Sequence, residues 1–284
     1  MRLILGGRLL PLAAAVLAAL ALLVAPAHAA APSFDGPGPY KVSFQVQGDT
    51  TLYYPSDIAK SPRRHPVIVW GNGTFAIPVI YDGLLRHWAS HGFIVAAANT
   101  AFSGSGQEMR AGIDLLAKAD KQSGSPFHGK VDLKRIGASG HSQGGAGTVN
   151  AAQDPRIITS VPIQPGGRAD PSRLHGPTLY LAGQYDVIVS PASVRSLYES
   201  SGQVPAIYAE RAGATHFTPL GDGGDYRGIT TAWFRLQLMG DERARGLFFG
   251  DHCGICSSPA WPVVTRNAKA EQVPGPSSAL SAGR

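Results

Sequence analysis

Residues 135–153 read RIGASGHSQGGAGTVNAAQ. The first seven are short, β-rich and mostly apolar, the pattern of a strand covered on both faces in a parallel sheet. The last ten form a helix whose small residues allow close packing against that sheet. Between them stands Gly140-His141-Ser142-Gln143-Gly144, a G-x-S-x-G. In this motif the serine occupies a sharp, strained strand-to-helix turn that closes only between small neighbours. The turn lifts Oγ clear of the sheet and sets it beside a helix N-terminus, whose N–H groups can stabilise an oxyanion. In a chain with 35 glycines the five residues alone would mean little. The strand before them and the helix after them supply the context the motif needs.

Outward from this turn the same alternation continues. PVIVW (66–70), FIVAAAN (93–99), IITSVPI (157–163), TLYLAG (178–183) and AIYAER (206–211) read as further buried strands. Helical segments lie at Val79 to Ser90, Gly106 to Lys121, Gln143 to Gln153, Pro191 to Ser200 and Tyr226 to Met239. Leu84, Leu85 and Trp88 share one face of the first, and Trp233, Leu236 and Leu238 are packing residues of the last. Upstream, Val42, Phe44 and Val46 alternate with polar residues as in a half-buried antiparallel strand, which Thr50 to Tyr54 can pair across the turn at Gln47-Gly48-Asp49. The pattern predicts a doubly wound, mostly parallel α/β sheet with helices on both faces. The connection from Ile163 to Thr178 is short and rich in Pro and Gly, so no lid domain is expected and the site should be open.

A serine hydroxyl is a poor nucleophile until a base takes its proton, so a histidine and an orienting carboxylate are required. In this arrangement they follow in the order Ser, Asp or Glu, His. Asp186 stands just beyond TLYLAG in GQYDVIVSP, and His216 just beyond AIYAER in GATHFTP. Both positions are carboxyl ends of strands, where sites in open parallel sheets collect. His141 is expected to pack beneath the turn; His175, His252 and Asp170 are poorly placed. For the oxyanion, Gln143 supplies one N–H, and the loop Gly71-Asn72-Gly73-Thr74-Phe75 supplies the other, with Thr74 the expected donor and Phe75 the alternative.

The ends of the chain read differently. Arg2 and Arg8, the apolar run Leu9 to Val24 and Ala27-His28-Ala29 make residues 1–29 a cleavable signal peptide. Residues 30–38 read as a flexible lead-in, 39–266 as one domain, and 267–284 as a disordered tail. The mature protein is therefore expected outside the cytoplasm, without a membrane span, as a monomer. Its balance of 23 basic against 19 acidic residues is mild, and no basic run of five appears, so nucleic acid is not an expected partner. The only cysteines, Cys253 and Cys256, have no second Cys or His pair at ligand spacing. They are expected to form a local disulfide rather than a redox or zinc site. No metal or cofactor is expected.

His65 to Leu220 resembles the bacterial cutinase and polyester-hydrolase family, and more loosely dienelactone hydrolases and chlorophyllase-like lipases. The resemblance rests on GNGTF followed by LLRHWASHGFIV, then GHSQGG, AGQYDVIVSP and GATHFTPL, in that order. It implies an α/β-hydrolase fold and a cofactor-free serine carboxylic-ester hydrolase, acting through an acyl-serine on small or polymeric esters. It also implies that Thr74 occupies the position of the family's oxyanion tyrosine or phenylalanine. The chain departs from the family at Gly166, where a stacking tryptophan is usual, at Gln143, where methionine is common, and in the close spacing of its cysteines. A substrate cleft bounded by Phe75 and Gly166, with less aromatic surface than in the family, is the expectation. The alternatives on the same fold are an extracellular serine acyltransferase, a peptidase and a catalytically silent binding protein.

Overall fold

In a computed structural model that describes residues 33–277, the apolar runs become strands of one sheet. Among the described residues these are β1 (Val42–Gln47), β2 (Thr50–Pro55), β3 (His65–Gly71), β4 (Ile94–Ala98), β5 (Val131–His141), β6 (Ile157–Ile163), β7 (Thr178–Gly183), β8 (Ala206–Arg211) and β9 (Val263–Arg266). Their spatial order is β1-β2-β4-β3-β5-β6-β7-β8-β9. From β4 to β8 neighbours are parallel, while β1, β2 and β9 pair antiparallel at the two edges. The helices are α1 (Asp82–Ser90), α2 (Gln107–Lys121), α3 (Gln143–Ala151), α4 (Pro191–Glu199), α5 (Arg227–Met239), α6 (Arg245–Phe248) and α7 (Ala268–Glu271). This is the mostly parallel α/β-hydrolase architecture.

Each central strand feeds two cores, because successive side chains point to opposite faces. Ile68 and Trp70 pack on the side of α1 and α5 with Leu84, Leu85, Trp88, Trp233 and Phe234. Val67 and Val69 pack on the side of α2, α3 and α4 with Met109, Ile113, Val149 and Val194. Trp233 and Trp88 are fully buried, and their indole N–H groups donate to Thr159 Oγ1 at 2.8 Å and Thr230 Oγ1 at 3.2 Å. Cys253 and Cys256 form a disulfide with a Cα separation of 5.2 Å, and Cys253 is buried in the α1/α5 core. No helix of the described residues is long and apolar enough to cross a membrane.

The structure corrects several expectations. The segment beginning at Val79 is first a single 3-10 turn, Pro78–Tyr81, and turns α-helical only at Asp82. On edge strand β1, Phe44 and Val46 are more than half exposed, because the strand lacks a covering layer there; Phe44 stacks on Tyr53 beneath the Arg86 guanidinium. The described part of the lead-in is packed rather than flexible. Phe34 is buried, its carbonyl accepts from His87 Nε2 at 2.9 Å, and Gly38 N–H donates to Ser90 Oγ at 2.8 Å. The segment from Asn267 is likewise ordered through residue 277. Asn267 Oδ1 accepts from Ala270 N at 2.9 Å, capping α7, and from Ala206 N at 3.1 Å, while Ala270 is fully buried. One cap and one small buried residue hold this turn, too little apolar character to show as a periodic pattern. The signal-peptide segment 1–29 and residues 278–284 lie outside the described residues.

Candidate active site

The strand-to-helix turn is held by backbone contacts. Ser142 has φ 55° and ψ −121°, a conformation that L-residues rarely adopt. A Cβ on Gly140 would overlap Gly144 O, and a Cβ on Gly144 would overlap Gly71 O, so both flanking positions require glycine. Ser142 N–H donates to Ile163 O at 3.0 Å and Ser142 O accepts from Gly166 N at 2.9 Å, which ties the turn to the carboxyl end of β6.

The loop after β7 brings Asp186 beneath this turn. Its side chain is fully buried, and Oδ1 accepts from the N–H groups of Ile188 at 2.9 Å and Val189 at 2.8 Å. Those two donors fix the orientation of the carboxylate. Oδ2 then accepts from His216 Nδ1–H at 2.8 Å. With the proton on Nδ1, Nε2 is free to accept, and it stands 3.0 Å from Ser142 Oγ. Asp186 and His216, 30 residues apart in sequence, and Ser142, 74 residues before His216, thus form one hydrogen-bonded line.

Gln143 begins α3, and Thr74 lines the cleft with Ser142 and His216. Among the described residues neither Thr74 N–H nor Gln143 N–H has a protein acceptor. The alternative is removed: Phe75 N–H donates to Ala101 O at 3.2 Å. Asn72 anchors this loop, with Nδ2 donating to Ala98 O at 2.6 Å and Thr100 O at 3.0 Å and Oδ1 accepting from Trp70 Nε1 at 3.0 Å. His141 is buried under the turn, with its ring centroid 4.7 Å from that of His216. Burial, and then His216, push its pKa down to about 3, so it is neutral. His175 and His252 are exposed, and Asp170 caps a short 3-10 turn by accepting from Ser172 N.

The cleft above Ser142 has a volume of about 390 Å³. Phe75, as expected, lines it and is 82% exposed. Gly166 sits beside Ser142, where a Cβ would come 3.8 Å from Oγ, but it does not line the cleft. Phe217 also lines the cleft, and Phe102 packs edge-on against Phe75 at 5.6 Å. Ile80, Ile188 and Leu220 complete an apolar wall. The signal for Phe102 and Phe217 lay in their position, since each follows a parallel strand on its carboxyl side and is too apolar for an ordinary loop.

The chain is similar in sequence to known ester hydrolases. Cutinase cut1 of Thermobifida fusca is 27% identical over 259 residues, covering 81% of this chain and 79% of its own. The bis(hydroxyethyl) terephthalate hydrolase of Streptomyces coelicolor is 30% identical over 220 residues, covering 72% and 70%. The PET hydrolase-like family matches residues 25–258, a span that takes in the serine turn, the acid loop and the base loop, and the chain belongs to that family.

Proposed function

We propose that the protein is an exported serine carboxylic-ester hydrolase that attacks esters presented on bulky or polymeric substrates. The observation that carries this reading is the line Asp186–His216–Ser142 beside two N–H groups without acceptors, at the floor of an open apolar cleft. His216 Nε2 takes the proton of Ser142 as Oγ attacks the ester carbonyl. The Thr74 and Gln143 amides receive the developing oxyanion, and Asp186 holds the imidazolium that forms. His216 then protonates the departing alcohol. Water, deprotonated by the same nitrogen, releases the acid and restores the serine. The low wall around the cleft, with Val187, Ile188 and Phe217 all more than half exposed, supports contact with an extended apolar chain. Export follows from the signal-peptide reading of residues 1–29.

The test is hydrolysis of a p-nitrophenyl ester series by mature protein beside Ser142→Ala. Wild type should show a rate maximum at one acyl length, and the variant should lose about 10⁴-fold or more of kcat. Equal rates in the two proteins would overturn the assignment. Release of the signal segment is checked by N-terminal sequencing of exported protein, which should begin near residue 30.

A further inference from the structure

The esterase reading leaves unused a buried polar chain that runs beneath Ser142 from the oxyanion loop towards the base loop. Tyr81 closes the 3-10 turn Pro78–Tyr81, is fully buried and packs edge-on against Trp70 at 4.9 Å. Its Oη accepts from Gly73 N–H at 3.2 Å and lies 2.9 Å from His141 Nδ1. A backbone N–H only donates, so the single phenolic hydrogen is left for Nδ1. With the phenolic hydrogen donated to Nδ1, the proton of neutral His141 sits on Nε2.

The chain continues past His141. Its Nε2 is buried without a partner in hydrogen-bond geometry, and so is Gln164 Oε1. Of the groups that favour protons on the imidazole, the backbone of His216 comes first and the Gln164 side chain second, so the groups facing Nε2 belong to the base loop and to the end of β6. Gln164 is fully buried at φ 45°, and its amide donates to Thr215 O at 2.9 Å, next to His216. The bonds present are Gly73 N–H to Tyr81, Tyr81 with His141, and Gln164 to Thr215.

We infer that Tyr81 is a positioning residue: it locks the peptide preceding the Thr74 oxyanion donor to the residue preceding the nucleophile, whose ring packs 4.7 Å from that of His216. The inference rests on the esterase reading of the site. Gly73 leaves no slack in this lock, because a Cβ there would stand 3.0 Å from Tyr81 Oη and 3.5 Å from Ser142 Cβ. An oxyanion donor helps only where it is already aimed when charge develops. Neutral His141 passes on position and takes no part in proton transfer; burial likewise pushes the Tyr81 phenol up to about 12, so it stays protonated.

Tyr81→Phe breaks the lock while keeping the ring. The assay uses p-nitrophenyl butyrate, with rates expressed per active site titrated by a p-nitrophenyl phosphonate, and with phenylboronic acid as an analogue of the tetrahedral adduct. kcat per titrated site should fall about tenfold or more, less than the 10²–10³ lost when a donor is removed outright. KM should stay within about twofold, and the phenylboronate Ki should rise by the same factor as kcat. A purely structural role would lower the number of titratable sites and leave kcat per site and Ki unchanged. That result, or wild-type values throughout, overturns the proposal. If wild type itself is inert and indistinguishable from Ser142→Ala, the esterase reading fails and takes this proposal with it.

Discussion

At the amino ends of β3 and β4 three buried histidines all have partners; at the carboxyl ends of β3, β5 and β6 three buried polar atoms have none. His65 holds Gly92 O at 2.7 Å and Ser61 Oγ at 2.8 Å, while His87 and His91 donate to the carbonyls of Phe34 and Gly36. At the other end His141 Nε2, Gln143 Oε1 and Gln164 Oε1 lack partners. Among the described residues the non-glycine positions with positive φ are Phe75, Ser142 and Gln164, and all three lie at that same end. Such conformations cost about 1–3 kcal/mol each. The strained backbone lies at the end where the chemistry is, and the three histidines at the other end are paired.

Ser142→Gly breaks this contrast most directly. Glycine adopts φ 55° freely, whereas alanine keeps the strained Cβ. Both variants should lose about 10⁴-fold or more in kcat. The glycine variant should nevertheless melt about 2–4 °C above Ser142→Ala, as relief of about 1 kcal/mol would give in a domain of this size. Equal melting temperatures by calorimetry would mean that the turn stores no strain.

The contrast also explains what the sequence made legible. The serine turn could be read because its requirements are local: small residues at fixed offsets, a strand before and a helix after. Asp186 and His216 were readable because each follows a parallel strand directly, so topology alone puts them at one edge. Asn72 was visible only as part of a glycine-rich loop, and Tyr81 and Gln164 gave no signal, because their partners lie 60 and 51 residues away and no periodicity marks a buried polar chain. The packed lead-in was missed for a related reason. Its single buried apolar side chain, Phe34, is set among Pro and Gly, and His87, which holds its carbonyl, sits on α1, far along the chain. β9 was missed because four residues, VVTR, are too few for alternation to show, and only the exposed edge of β8 specifies them as a strand.

Acid should probe the paired end. Burial, followed by His91, pushes the His87 pKa down to about 4, with Arg227 acting in the same direction and Asp35 and the Phe34 carbonyl against it. Burial also lowers His65 and His91. These groups are neutral when folded, so below the ordinary histidine value of about 6.5 the unfolded chain binds more protons, and stability falls as pH drops. For His87 the loss runs from about pH 6.5 to about 4, roughly 2–3 kcal/mol over two pH units. Asp241, held down at about 2 mainly by Arg243, contributes stability that is lost only below the ordinary carboxylate range, in a separate window. Melting curves between pH 7 and 4.5 should therefore fall by at least several degrees. His87→Gln keeps a donor for Phe34 O and should flatten that acid limb without altering kcat at pH 7. A limb unchanged in the variant would move the acid sensitivity to His65, His91 or His141.

The smallest effect separates the two ends most cleanly. Phe34 is buried against the α1/α5 core from a segment near the start of the described chain, and nothing in the cleft touches it. Phe34→Ala removes the ring and leaves the backbone carbonyl that His87 uses, so the loss should be mainly apolar burial. A fully enclosed phenylalanine would cost about 3–5 kcal/mol; a segment free to re-settle on the surface should cost about 1–3. The expected outcome is a melting temperature lower by about 2–8 °C, with kcat and KM on p-nitrophenyl butyrate unchanged at 25 °C. A matching fall in kcat per titrated site would show that α1 transmits the state of the lead-in to the Pro78–Tyr81 turn immediately before it. The paired end would then help to set the geometry of the strained one.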